Sequence, residues 1–257
     1  MIKETKTTIN NISFSKKIFF LEVKLNSIRQ ISTINQQKKN ISSSQTFDIN
    51  EFSDKTSKFK NMMPQKHIFK KFFEEYPLDS SIILYETQGV YSSPRALLML
   101  HSVGYENVYI INNKVNDICD YAKNDLLQID NNFTNIETIF CNKDFVKRAI
   151  KNREKFQIID ARSEERFNGV SPEPHKNLKS GHIPTSINLP YEKLIKDGKY
   201  IEKNDIKKIF EDLNISKHKS IIFTCGSGIT ACIVAIASKI VGYKHIYIYD
   251  ASWSEWG

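Results

Sequence analysis

Phe223-Thr-Cys-Gly-Ser-Gly-Ile-Thr-Ala-Cys232 brings a strand end, a glycine-bearing loop and a helix start together in ten residues. The Ser220 to Thr224 stretch before it is β-branched and aromatic, and Ala231 to Val241 after it is apolar apart from Ser238 and Lys239, which predicts a core strand and a buried helix. Cys225 is thereby placed at the mouth of a helix, where backbone N–H groups lack intrahelical partners and the dipole is positive. That position favours thiolate over thiol. Gly226 and Gly228 allow the chain to fold back, so that the amides of the loop, through Ile229 and Thr230, can converge on one anion. A cysteine that serves only as a small core residue is expected inside an apolar helix, which is where Cys232 sits. Cys225 is the candidate nucleophile.

Phosphate hydrolysis on such a loop would need an arginine six residues after the cysteine, and position 231 is alanine. Working outward, the strand, loop, helix and Gly-Tyr pattern of Ile221 to Asp250 is preceded by a similar one. Ser81 to Glu86 reads as a strand, Ser93 and Pro94 as the N-cap and first residue of a helix, Gly104 as its C-cap, and Asn107 to Ile111 as a second strand. Ile82 lies 22 residues before Gly104, and Ile221 lies 21 before Gly242. Two copies of one βα unit imply an internal duplication with mainly parallel sheets flanked by helices. In the first copy Glu86 or Thr87 stands where the second has Cys225.

The 257 residues, 40% hydrophobic, suffice for two small domains. No apolar run reaches the length of a membrane span, so neither a membrane nor a membrane partner is expected. Four cysteines, at 119, 141, 225 and 232, lack metal-ligand spacing and are too few for a disulfide scaffold, which predicts a reducing, cytoplasmic setting and no metal or other cofactor. Of the net charge of +8, residues 1–60 carry eleven Lys and Arg against five Asp and Glu, a net of +6. The basicity is therefore concentrated in an Asn, Ser, Thr and Lys-rich leader, and no nucleic-acid surface is expected. Residues 1–45 read as that leader, without sustained periodicity and expected to be disordered, with a mitochondrial transit peptide as the alternative. Residues 46–115 read as a truncated first domain, 116–140 as a polar linker and 141–257 as the domain bearing the cysteine.

Asp160-Ala-Arg-Ser, Arg166-Phe167, Gly181-His-Ile-Pro, the Cys225-Gly-Ser-Gly-Ile-Thr loop and the terminal Asp250-Ala-Ser-Trp-Ser-Glu-Trp-Gly257 together resemble the two-domain rhodanese family. The loop is most similar to that of its 3-mercaptopyruvate sulfurtransferase branch. Phe47 to Pro64 and Tyr91-Ser-Ser-Pro-Arg95 carry the likeness into the first domain. The resemblance implies an α/β protein of two tandem rhodanese-like domains, the first incomplete, that moves a sulfane sulfur through a Cys225 persulfide to a thiol, a thioredoxin-like protein or cyanide. It implies that Ser227 takes part in activating the donor and that Arg166 holds the donor's carboxylate. From the residues alone, Arg166 equally fits an ion pair with Glu164, Glu165 or Glu173. A second family arginine, after Pro-Glu-Pro, is His175 here. Asp160, Arg162 and His182 read as ties between the strand end and the Gly181 turn.

Thiosulfate-specific relatives place basic residues between the cysteine and the second glycine. Here that space holds Gly226 and Ser227, which points to 3-mercaptopyruvate rather than dianionic thiosulfate. The family's first domain also supplies an aspartate and a histidine to the catalytic serine, and residues 1–45 contain neither type. Two functions follow as expectations: an active sulfurtransferase, or a catalytically impaired persulfide carrier or binding module.

Overall fold

The computed structural model describes residues 17–25, 44–115, 125–129, 138–175 and 177–257. The first unit contains β1 (Ile18–Lys24), β2 (Gln45–Asp48), α1 (Lys66–Lys71), β3 (Ser81–Tyr85), α2 (Ser93–Ser102), β4 (Val108–Ile111) and β5 (Leu126–Gln128). The second contains β6 (Phe140–Cys141), α3 (Lys143–Lys151), β7 (Phe156–Asp160), α4 (Glu164–Phe167) and β8 (Ile187–Asn188). It continues with a 3-10 turn (Tyr191–Leu194), the ribbon β9 (Ile195–Lys196) and β10 (Lys199–Tyr200), then α5 (Lys203–Asp212), β11 (Ser220–Thr224), α6 (Thr230–Ile240), β12 (Ile246–Tyr249) and α7 (Trp253–Trp256).

The two large sheets repeat one design. Their orders are β2-β1-β3-β4-β5 and β6-β12-β11-β7-β8, which coincide when one is read backwards. The second is parallel throughout, whereas in the first β5 runs antiparallel to β4. Register makes the duplication specific: Ser81 pairs with Ile18 and Ile82 with Val108, as Ser220 pairs with Phe156 and Ile221 with Ile246. Glu86 thus immediately follows β3 as Cys225 follows β11. Both central helices end on glycines in left-handed backbone, Gly104 at φ 103° and Gly242 at φ 91°. The tyrosine after each is tied inward, Tyr105 Oη donating to the Phe73 and Tyr76 carbonyls and Tyr243 Oη to the Ile215 carbonyl.

Two sequence expectations are corrected. Residues 18–24, assigned to a disordered leader, are β1, the strand between β2 and β3, with Leu21 and Val23 buried. Ile-Phe-Phe-Leu-Glu-Val-Lys is a short, nearly continuous apolar run, as suits a strand covered on both faces, and its backbone is satisfied by two partner strands. The first sheet therefore has five strands like the second, and the expected incompleteness does not extend to the sheet. Gln45, at the end of that segment, opens β2, and residues 1–16 and 26–43 lie outside the described residues. The proposed linker, 116–140, contributes β5 to the first sheet and Phe140 to the second, with Ile129 and Ile139 buried. Its Asp130 to Asn135 run lies outside the described residues.

Helices α2 and α6 pack against each other and join the two units in one apolar core. Each is buried along almost its whole length, which explains why α6 is apolar on all sides. Each fully buried Leu or Ile there contributes roughly 1.5–3 kcal/mol. His101, on α2, is the price of that burial: its pKa falls from 6.5 to about 4 because desolvation disfavours the imidazolium. Between those values the unfolded chain binds a proton that the folded chain does not. Stability is full above pH 6.5 and is lost as pH falls toward 4, by about 3 kcal/mol from this residue. In urea titrations near neutral pH and near pH 4.5, His101→Gln should lose measurably less stability on acidification than the wild type. Equal losses would remove His101 as the cause.

Candidate active site

Cys225 follows the last residue of β11, at the carboxyl edge of a strand flanked by parallel neighbours, where open α/β sheets place their ligands. The loop after it is pinned by the terminal segment. Ser252 Oγ accepts the Cys225 N–H at 3.1 Å, Trp253 N–H donates to the Cys225 carbonyl at 3.0 Å, and Ser254 N–H donates to the Gly226 carbonyl at 2.9 Å. Gly228 sits at φ 77°, and a Cβ there would lie 2.5 Å from the Asp250 carbonyl oxygen, so only glycine fits. Cys225 itself is 1% exposed. Among the described residues, the N–H groups of Gly226, Ser227, Gly228, Ile229 and Thr230 donate to no protein acceptor, and no hydrogen bond is made to Cys225 Sγ. These N–H groups are left uncommitted by the fold.

Ser227 is met by the other unit. Asn61 Nδ2 donates to Ser227 Oγ at 3.1 Å and lies 3.4 Å from the Ser227 carbonyl, while Asn61 Oδ1 accepts from Asn50 Nδ2 at 3.3 Å. Asn61 occupies left-handed backbone at φ 62°, a conformation asparagine tolerates better than most residues. It is held there by Arg95 of α2. Arg95 is fully buried, its Nη2 2.6 Å from the Asn61 carbonyl and 2.7 Å from Asp250 Oδ1, its Nη1 3.5 Å from the Gly228 carbonyl. Asp250 Oδ2 in turn accepts the Met63 N–H at 2.8 Å. One buried ion pair thus clamps residues 61–63 of the first unit onto the Cys225 loop of the second. Asn50, Asn61, Arg95, Asp250 and Ser252 were not singled out from the sequence as site residues. Their types carry no local signal, and only the packing of the units brings them together.

Arg166, on the single turn α4, reaches the same loop: a Cβ at Gly226 would lie 3.2 Å from Arg166 Nη2. Its guanidinium grips Glu173 with Nε at 3.2 Å and Nη2 at 2.5 Å, so of the three acidic partners considered the structure selects Glu173. Glu173 is buried between Arg166 and Arg162. Arg162 Nη2 also bonds Asp160 at 2.6 Å and the Gly181 carbonyl at 2.8 Å, and His182 Nδ1 pairs with the Phe167 carbonyl at 2.9 Å. Asp160 and Arg162 make the tie expected between strand end and turn, whereas His182 ties the turn to α4. His175 is exposed on the loop beyond Glu173. Among the described residues, no three His, Cys, Asp or Glu side chains cluster as metal ligands would, and no helix is long and apolar enough to cross a membrane.

Residues 143–257 match the family described as the Rhodanese-like domain. Over 223 residues, covering 82% of this chain and 78% of the relative, the sequence is 33% identical to a 3-mercaptopyruvate sulfurtransferase of Escherichia coli. The chain belongs to the rhodanese family. A crystal structure of a 3-mercaptopyruvate sulfotransferase from Escherichia coli superposes with a TM-score of 0.69 at 25% identity, covering 92% of each chain. That of the Tum1 protein from Saccharomyces cerevisiae gives 0.72 at 26%, covering 93% of this chain and 88% of the other. The tandem arrangement of two sheets is that of this family.

Within this rhodanese-family chain the first unit shows what became of the duplicated site. Glu86, in the register position of Cys225, accepts the N–H groups of Tyr91, Ser92 and Ser93 at 2.8–3.1 Å and the Ser92 hydroxyl at 2.6 Å. In the first copy a carboxylate fixed in the chain takes up the amides of the corresponding loop. The remaining described cysteines are internal. Burial pushes the Cys232 thiol up to about 12, and its Sγ lies 3.2 Å from the Gly228 carbonyl. Burial likewise raises Cys141. Cys119 lies outside the described residues.

Proposed function

We propose that this chain is a sulfurtransferase that takes a sulfane sulfur from 3-mercaptopyruvate onto Cys225 and passes it to a thiol, either a small molecule or a thioredoxin-like protein, or to cyanide. The observation that carries the reading is the loop after Cys225, whose N–H groups from Gly226 to Thr230 donate to no protein acceptor among the described residues, with the Ser227 hydroxyl on that loop and the Arg166 guanidinium against Gly226. In the first half-reaction Cys225 Sγ attacks the donor's sulfur, the sulfur–carbon bond breaks, and its electron pair passes into the enolate of pyruvate, which is then protonated. The loop amides stabilise the anionic persulfide left on Cys225. Arg166 holds the donor carboxylate with the guanidinium edge not committed to Glu173, and His175 lies two residues beyond Glu173 on an exposed loop. In the second half-reaction the acceptor thiolate attacks the outer sulfur and Cys225 leaves as a thiolate.

A specific observation favours the alternative, an impaired persulfide carrier: Asn61 and Asn50, neither of which can take a proton, back Ser227. Mass spectrometry of the protein after exposure to 3-mercaptopyruvate separates the two. The sulfurtransferase reading expects a gain of one sulfur atom per chain with release of pyruvate, and loss of that sulfur on adding a thiol. An unmodified Cys225 in folded protein would overturn it.

Donor choice follows from the uncharged stretch between Cys225 and Gly228. The wild type should consume 3-mercaptopyruvate faster than thiosulfate. Ser227→Lys should move kcat/KM toward thiosulfate by about tenfold or more, since a charge-assisted bond to the dianion is worth roughly 1.5–3 kcal/mol. Gly226 is the poorer place for a cation, because Arg166 already stands against it. A wild type that prefers thiosulfate would refute the argument.

A further inference from the structure

We propose that Asn61, held by Asn50, is a positioning residue that fixes the Ser227 hydroxyl as a hydrogen-bond donor to the sulfur donor and leaves the site without a proton-accepting partner for that serine. This rests on the reading of the chain as a sulfurtransferase and specifies how its donor side works. A hydroxyl carries one proton and two acceptor lone pairs, and an asparagine amide presents donors from nitrogen and acceptors from oxygen. Asn50 Nδ2 bonds Asn61 Oδ1 at 3.3 Å, which turns the Asn61 NH2 toward Ser227, where it lies 3.1 Å from Oγ and 3.4 Å from the carbonyl. An NH2 group donates and cannot accept. The Ser227 proton is therefore directed away from Asn61, toward the space that the loop amides and Arg166 border.

Two hydrogen bonds and a backbone conformation make this a built feature rather than a chance meeting of side chains. The left-handed backbone at Asn61, the Arg95 bond to its carbonyl and the Asp250 bond to the Met63 N–H fix residues 61–63 against the loop. The ionisable groups around the pair are Arg95 and Asp250, joined to each other; Arg166, gripped by Glu173; Asp48, which accepts the Asn50 N–H at 2.8 Å; Lys55, whose Nζ donates to the Asn50 carbonyl at 2.6 Å; and Cys225. None is an imidazole. When the sulfur–carbon bond of 3-mercaptopyruvate breaks, Ser227 can donate to the developing enolate oxygen, but no neighbour draws the proton from that hydroxyl. The chain trades a titrating partner for a fixed dipole, so sulfur loading has no step gated by an imidazole ionisation.

The test is Asn61→His, which keeps a residue type that tolerates φ > 0, with Asn61→Leu as the variant that removes the amide. Loading of Cys225 from 3-mercaptopyruvate is followed by mass spectrometry and by pyruvate release across about pH 5.5 to 9, the range that brackets imidazole ionisation. Asn61→Leu should lower kcat by several-fold with an unchanged pH profile. Asn61→His should add a limb to the kcat profile in the imidazole range and raise kcat on its alkaline side by about tenfold or more, the lower range for general base assistance. Transfer from a preformed persulfide to a thiol should be the same in all three proteins. An Asn61→His profile that superimposes on the wild type overturns the inference, as does a wild-type profile that already contains an imidazole limb. Failure of the functional reading looks different. A wild type and both variants that all stay unloaded by 3-mercaptopyruvate in folded protein would sink that reading, whereas a wild type that loads with a profile superimposed on that of Asn61→His would sink only this inference.

Discussion

Cys225→Ser is expected to abolish sulfur loading: no mass gain after exposure to 3-mercaptopyruvate, and turnover lower by on the order of 10³-fold or more, as when the nucleophile of a covalent mechanism is removed. The loss should not be rescued by the other thiols. Cys232 is fully buried with its pKa pushed up to about 12, so at neutral pH it stays a thiol hydrogen-bonded near the Gly228 carbonyl. Cys141 is raised by burial as well. Cys232→Ala should consequently keep full loading at Cys225, with only the stability cost of a small cavity in α6. The serine variant should fold as the wild type does, because the contacts that pin the loop run through the Cys225 N–H and carbonyl, not its sulfur. A persulfide on Cys225→Ser protein, or loss of loading in Cys232→Ala protein of wild-type stability, would show that the sulfur path has been placed on the wrong thiol.

Arg95→Ala should cost about 3–5 kcal/mol of stability, the usual consequence of stranding one member of a buried ion pair. Arg95 is fully buried and Asp250 nearly so, and the guanidinium also satisfies the carbonyls of Asn61 and Gly228. Without it Asp250 keeps a charge with one fewer partner, and two carbonyls face an apolar cavity beside Phe140, whose ring lies 4.3 Å from the guanidinium carbon. Asp250→Asn should cost less, since the amide still accepts the Met63 N–H. The pair Arg95→Met with Asp250→Leu should recover part of the Arg95→Ala loss, because no charge is left behind. Equilibrium urea denaturation of the four proteins measures this. A loss below about 1 kcal/mol for Arg95→Ala, the range of exposed pairs, would show that the pair is not the joint between the units. Activity supplies an independent check: if Arg95 clamps Asn61 to the Cys225 loop, Asn61→Leu and Arg95→Ala should be markedly less than additive in kcat.

Much of the second unit was legible locally. The β11, Cys225, α6 stretch combines a β-branched run, a loop with two glycines and an apolar run too long for a strand, and each is a short-range consequence of its own side chains. The duplication was legible too, because the strand, helix and Gly-Tyr spacing recurs and the glycine at each helix end takes a positive φ. An ion pair of Arg166 with a nearby glutamate could be named, but the choice of Glu173 among three carboxylates required the Pro172 to Pro174 loop to fold back toward α4.

What the residues by themselves determined is the chemistry available: one loop cysteine, no cation between Cys225 and Gly228, and no histidine or aspartate in residues 1–45. What only the tertiary structure decided is where the partners come from. Ile18 to Lys24 reads alone as a short apolar run among polar residues, and it becomes β1 because β2 and β3 supply both ladders and a covered face, neither of which is a local property. Asn50, Asn61 and Arg95 are ordinary polar residues along the chain. They meet at the Cys225 loop because α2 packs on α6 and a buried Arg95–Asp250 pair fixes one unit's turn over the other's loop, and a hydrogen-bond chain between units depends on that docking rather than on any spacing in the sequence.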